Sequence, residues 1–169
     1  EEDPEAEVLG ISTAGIDTDF IRLCLDADAP LDILTIHPYR GYLSEKMFIK
    51  ELREAAALVK NRPVWITEMG WSTQIGASSE RRQAQMLARC YLTAVASGAC
   101  QNISWYDFRN DGTDPFYNEA NFGVVRRDFT VKPAYRALAT VCRSFDQGMP
   151  RPLELPDGLY GVRAGRMTA

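Results

Sequence analysis

Apolar positions along the chain fall into two alternating patterns: short continuous runs rich in branched residues, and longer stretches with apolar residues three and four apart. Val8-Leu9-Gly10-Ile11-Ser12 is the first short run, and Asp17-Thr18 offers cap chemistry for a helix carrying Phe20, Ile21, Leu23, Cys24 and Leu25. Asp32-Ile33-Leu34-Thr35-Ile36 predicts a second strand, and from Ser44 onward Phe48, Ile49, Leu52, Ala55, Ala56 and Val59 predict a second helix. Pro63-Val64-Trp65-Ile66-Thr67 is a third strand, followed by a Gly/Ser loop and a helix from about Ser79 to Ser97. Asn102-Ile103-Ser104-Trp105-Tyr106 is a fourth. After a long polar loop, Lys132-Pro133 opens a last helix ending near Phe145, with Pro in its first turn.

The resulting order is βαβαβαβα. Continuous rather than alternating apolar strands imply burial on both faces, hence a parallel sheet covered by helices. Two architectures fit, a small doubly wound sheet or half of an eight-stranded barrel. No Gly-rich phosphate loop follows any strand, which removes the usual nucleotide signature. Residues 8–145 form the α/β body, preceded by an acidic lead-in at 1–7. Residues 146–169 are rich in Gly and Pro, and Leu155-Pro156-Asp157-Gly158-Leu159-Tyr160 reads as a turn between short strands, a tail or the start of a β domain.

An apolar fraction of 46% over 169 residues suffices for a real core. The net charge of -4 arises from interspersed acids and bases without a basic cluster, which argues against nucleic acid or an anionic membrane as partner and favours a neutral substrate. No apolar run approaches the roughly 20 residues of a membrane span, and the acidic start lacks the features of a signal peptide. That start, without Met, suggests a cut inside a longer protein. Cys24, Cys90, Cys100 and Cys142 lie far apart with no C-x-x-C pair and read as buried free thiols. No metal and no cofactor are expected.

In parallel α/β folds the active site gathers at the C-terminal strand ends. Here the second strand ends in His37-Pro38-Tyr39-Arg40, the third in Glu68-Met69-Gly70-Trp71 and the fourth in Trp105-Tyr106-Asp107. A carboxylate emerging from a buried strand is costly unless hydrogen bonds or function compensate, which makes Glu68 the catalytic candidate. The plainer alternative has it capping the next loop or pairing with an arginine. His37, the single histidine, would lie near Glu68 and could orient it, or be an ordinary structural group. Trp105, Trp71 and Tyr106 suit either barrel filling or stacking against sugar rings. Asp107, Asn110, Asp111 and Asp114 match no EF-hand and read as turn chemistry.

Pro63-Val-Trp-Ile-Thr-Glu68-Met-Gly-Trp71-Ser-Thr resembles the seventh-strand signature of clan A glycoside hydrolases, especially families 39 and 5. Ile36-His37-Pro38-Tyr39-Arg40 is similar to their sixth-strand end. Ser104 to Pro115, with Asn121-Phe122-Gly123-Val124-Val125 and Lys132-Pro133-Ala134-Tyr135, resembles the eighth strand, its loop and the closing helix. The resemblance spans roughly residues 8–145.

It implies the second half of a (β/α)8 TIM barrel, strands five to eight with their helices, from a retaining glycosidase acting by double displacement on a glycoside, oligosaccharide or polysaccharide. It implies Glu68 as nucleophile, His37 or Tyr39 positioning it, and Trp105 in the floor under the sugar. Polysaccharide-acting members of such families are commonly exported. The clan's acid/base Glu, which follows an Asn, would lie upstream of Glu1; Asn118-Glu119 sits after the last strand and is no equivalent. A retaining hydrolase needs both carboxyl groups about 5–5.5 Å apart, so this chain by itself is expected to be inactive. Its open edges invite the missing half-barrel or self-association. A non-catalytic carbohydrate-binding relative, or a compact unrelated α/β domain, are the alternatives.

Overall fold

A computed structural model describes residues 3–146, 148, 150–165 and 167–168. Its body is a parallel sheet in the sequential order β1 (Leu9–Ala14), β2 (Ile33–His37), β3 (Val64–Met69), β4 (Asn102–Trp105). The helices α1 (Thr18–Asp26), α2 (Glu45–Val59), α3 (Glu80–Ser97) and α4 (Pro133–Phe145) connect or follow them and pack side by side in chain order. Right-handed crossovers between successively adjacent strands put every helix on one face, the arrangement of a barrel wall rather than of a doubly wound sheet. The architecture is that of part of a TIM barrel.

Local chemistry accounts for the helix limits. The Asp17 side chain accepts from the Phe20 N–H at 2.9 Å and the Ser79 hydroxyl from the Arg82 N–H at 3.2 Å, while Pro133 starts α4. Gly98, at φ 68°, ends α3 in the left-handed conformation that glycine adopts without strain.

One-sided cover changes the expected burial. Val64 and Ile66 of β3 and Leu34 and Ile36 of β2 face the helices, packing with Phe48, Leu52, Met86 and Cys90. The opposite face is only partly covered: β2 remains buried throughout its apolar residues, but β1 and β4 are half-exposed or exposed at most positions. Burial on both faces therefore holds for β2 alone. In α1 only Ile21 is buried, while Phe20 and Leu23 are 48% and 66% exposed, because α1 ends the row of helices with α2 on one side only.

Cys90 is buried and Cys100 nearly so, and burial pushes their thiols up to about 12 and about 11. Cys142, on α4, is exposed and departs from the buried reading; Cys24 is half-buried. In the tail, Arg151–Pro152 pairs antiparallel with Val162–Ala164, with the turn at Pro156–Leu159 between them, and Met167–Thr168 adds a third short strand. No helix among the described residues is long and apolar enough to cross a membrane.

Candidate active site

Glu68 lies inside β3, one residue before its end. Regular alternation would turn it to the same side as Val64 and Ile66, into the helix-covered core. It does not go there. Ile66 pairs with Ile103 and Met69 with Trp105, so β3 carries an extra residue between those pairs, a β-bulge at Thr67-Glu68. The bulge returns Met69 to the core and leaves Thr67 and Glu68 both on the open face, beside His37.

His37 closes β2 and bonds to both. Its Nδ1 lies 2.8 Å from Glu68 Oε2 and its Nε2 lies 3.0 Å from Thr67 Oγ1. A ring that donates from Nδ1 leaves Nε2 to accept from the Thr67 hydroxyl, which sets the tautomer and the ring plane together. The two side chains are 25% and 30% exposed, open enough for a ligand to reach them.

Above them is a cleft of about 550 Å³ lined by Tyr39, Arg40, Glu68, Trp71, Tyr106, Glu119 and neighbouring residues. Tyr39, Tyr106 and Phe122 meet edge to face, with ring centroids 5.3 to 6.5 Å apart. Burial, and after it the Glu68 carboxylate alongside, push the Tyr39 hydroxyl well above the ordinary phenol range. Burial and the nearby carboxylate of Asp111 push Tyr106 up to about 12. Both phenols are therefore donors at neutral pH, aimed at a cleft that contains carboxylates.

The two strand-end tryptophans sit at different depths. Trp71 is 5% exposed and packs against Trp105, ring centroids 6.0 Å apart, with the Nε1 of each buried. Trp71 touches the cleft wall, whereas Trp105 is half-buried between the two apolar clusters and, like His37, is outside the group lining the cleft. Glu68, His37 and Tyr39 come together, and Trp71 lines the same cleft.

Several cleft residues carry no strand-end signal. Phe122, Asn118 and Glu119 belong to the long loop after β4, and only their position opposite β3 brings them in. That loop is anchored by Lys132, 1% exposed, whose Nζ donates to Thr73 Oγ1 at 3.0 Å, Asn110 Oδ1 at 2.9 Å and the Asn121 carbonyl at 3.1 Å. Burial pulls the Lys132 ammonium down to about 8. Asp107 and Asp114 serve turns: Asp107 Oδ1 accepts from the Arg109 N–H and Asp114 Oδ1 from the Phe116 N–H.

A family model described as glycosyl hydrolase catalytic core matches residues 17–123, which include β2, β3 and β4 and the whole His37–Glu68 site. No curated protein matches the chain. Among solved structures it is similar to a family 39 glycoside hydrolase from the gut symbiont Bacteroides cellulosilyticus WH2, with 28% identity and a TM-score of 0.74 over 91% of this chain and 36% of that one. A monomeric beta-xylosidase from Caulobacter crescentus CB15 matches at 18% identity and a TM-score of 0.61, over 97% and 38% of the two chains. Xylanase 10B from Thermotoga petrophila RKU-1, in complex with xylobiose, matches at 18% and 0.65, over 83% and 47%. The latter two establish the fold alone, and the chain spans between 36% and 47% of the length of all three. With the model matched over most of the body and the wall of a barrel observed, the chain belongs to the glycosyl hydrolase catalytic core family.

Proposed function

We propose that this chain is part of a retaining β-glycosidase in which Glu68 is the nucleophile. The observation that carries the reading is the Glu68–His37 contact on the open side of a bulged strand, in a family whose chemistry is glycoside cleavage. A Glu68 oxygen attacks the anomeric carbon as the glycosidic oxygen departs, giving a glycosyl ester; water then opens the ester and restores the carboxylate. His37 and Tyr39 hold the carboxylate by donating to it, Nδ1–H to Oε2 in the case of His37, while Trp105 forms part of the floor under the sugar. The proton for the leaving oxygen comes from an acid outside residues 1–169, so the isolated chain turns over little. The substrate is an oligosaccharide, polysaccharide or simpler glycoside.

The experiment is peptide mapping by mass spectrometry after the full-length protein reacts with an activated 2-deoxy-2-fluoro glycoside. A glycosyl adduct on Glu68 supports the assignment. An adduct on any other residue, or none on a protein that still binds the sugar, overturns it in favour of a different nucleophile or of a binding protein.

A further inference from the structure

The cleft above Glu68 holds a second carboxylate. Glu119 begins the 3-10 turn Glu119–Asn121 and lines the cleft together with Glu68, Tyr39, Tyr106 and Phe122. The turn is fixed from several directions. Ser72 Oγ donates to the Asn118 carbonyl at 2.8 Å, and the Asn121 carbonyl accepts from the Thr73 N–H at 3.1 Å, Thr73 Oγ1 at 3.0 Å and Lys132 Nζ at 3.1 Å. The Asn121 amide donates to the carbonyls of Asp114 and Tyr117, each at 2.7 Å, and Asn118 Nδ2 donates to Glu119 Oε1 at 2.9 Å. A carboxylate presented this way loses little freedom when a ligand binds.

Charge in the cleft is one-sided. The negative charge of Glu119 reaches the hydroxyls of both Tyr39 and Tyr106 and opposes their ionisation. Arg40, the one cation among the described lining residues, is already engaged: Nη1 meets Glu51 at 2.9 Å, Nε donates to the Pro38 carbonyl at 3.0 Å, and the guanidinium stacks on Phe48 at 4.3 Å. A sugar in the cleft therefore meets two carboxylates and phenolic donors but, among the described lining residues, no uncommitted cation.

We propose that Glu119 is a specificity residue, accepting hydrogen bonds from the hydroxyls of a neutral sugar and repelling sugars that carry a carboxylate, so that this wall of the cleft selects neutral glycosides over uronides. The inference rests on the reading of the cleft as a glycoside site. Carboxylate hydrogen bonds to hydroxyls are charge-assisted, while two like charges brought into contact at the protein surface repel enough to change affinity by roughly tenfold.

The test is calorimetric titration of the full-length protein, wild type and Glu119→Gln, with phenyl 1-thio-β-glucoside and phenyl 1-thio-β-glucuronide, a pair differing in one carboxylate. The wild type is expected to bind the glucoside at least roughly tenfold tighter, and Glu119→Gln to bring the ratio near one, chiefly by gaining affinity for the glucuronide. Glu119→Ala should narrow the ratio in the same way, since the residue is exposed and its replacement leaves the core intact. An unchanged ratio in either variant, or a wild type that prefers the glucuronide, overturns the proposal while leaving the Glu68 adduct untouched. Binding of neither ligand, with no adduct on Glu68, overturns both readings.

Discussion

His37 Nδ1 and Glu68 Oε2 stand 2.8 Å apart, joining the ends of two neighbouring parallel strands through side chains that both remain partly open to solvent. Thr67 holds the far side of the same ring. A carboxylate held by His37 and backed by a bulge keeps its orientation before a ligand arrives.

On the proposed reading, replacing His37 by Ala should cost the full-length protein roughly 10- to 100-fold in kcat/KM, the range expected on losing one charge-assisted hydrogen bond to a reacting group. Steady-state kinetics on an aryl glycoside, with thermal unfolding as control, measures it. A change under twofold would reduce His37 to a structural residue.

Tyr39 should stay un-ionised in an alkaline titration that deprotonates ordinary phenols. Ultraviolet difference spectra of wild type and Tyr39→Phe isolate its share. In Glu68→Gln the Tyr39 ionisation should move down, because the second cause of its elevation, the Glu68 charge, is gone while burial remains.

Lys132 predicts a rise of stability with pH. Its ammonium is pulled from the ordinary 10.5 to about 8 in the folded state, so between those values the unfolded chain binds more protons. The contribution is present above about 10.5 and is lost as pH falls through about 8. Lys132→Met removes this slope and orphans three acceptors, costing on the order of 2–4 kcal/mol. Denaturant unfolding of both proteins at pH 7, 9 and 10 should show the gap between them widening with pH.

Gly70 leaves no room for a side chain, since an added Cβ would run into the carbonyl of Tyr106. The Tyr106 N–H donates to the Met69 carbonyl at 2.8 Å, so Gly70→Ala would push apart the ends of β3 and β4. A loss above about 2 kcal/mol is expected by chemical denaturation. A neutral substitution would mean that the two ends separate freely.

Strands β1 and β4 each have one unpaired edge in the sheet, and the face opposite the helices is only partly covered. The isolated chain is expected to self-associate, through edge pairing or by covering that face. Light scattering after size exclusion measures this, and a monodisperse monomer at high concentration would overturn it.

The Asp17, Ser79 and Pro133 helix starts were legible because capping chemistry is local. So was the gathering of His37, Tyr39 and Glu68, since parallel strands bring their C-terminal ends to one rim. Glu119 and Phe122 were not legible as cleft residues, because a loop of many residues can fold back in many ways. Here Ser72, Thr73 and Lys132 select one of them through hydrogen bonds that reach across as many as 59 positions of the chain. Trp71 and Trp105 were ambiguous for a related reason: composition marks an aromatic as suited to a core or to a sugar, and packing alone shows how deep its ring lies.

By itself the sequence determined the order of elements, the identity of the strand-end residues and the absence of a phosphate loop, all consequences of short-range periodicity and turn chemistry. The tertiary structure decided that all the helices share one face, which follows from which strands become neighbours. It also decided where Glu68 points. Alternation along β3 would have buried that carboxylate under the helices, and the extra residue between the Ile66–Ile103 and Met69–Trp105 pairs turns it outward to His37. A bulge is a mismatch between two strands, and a mismatch exists only once both are in register.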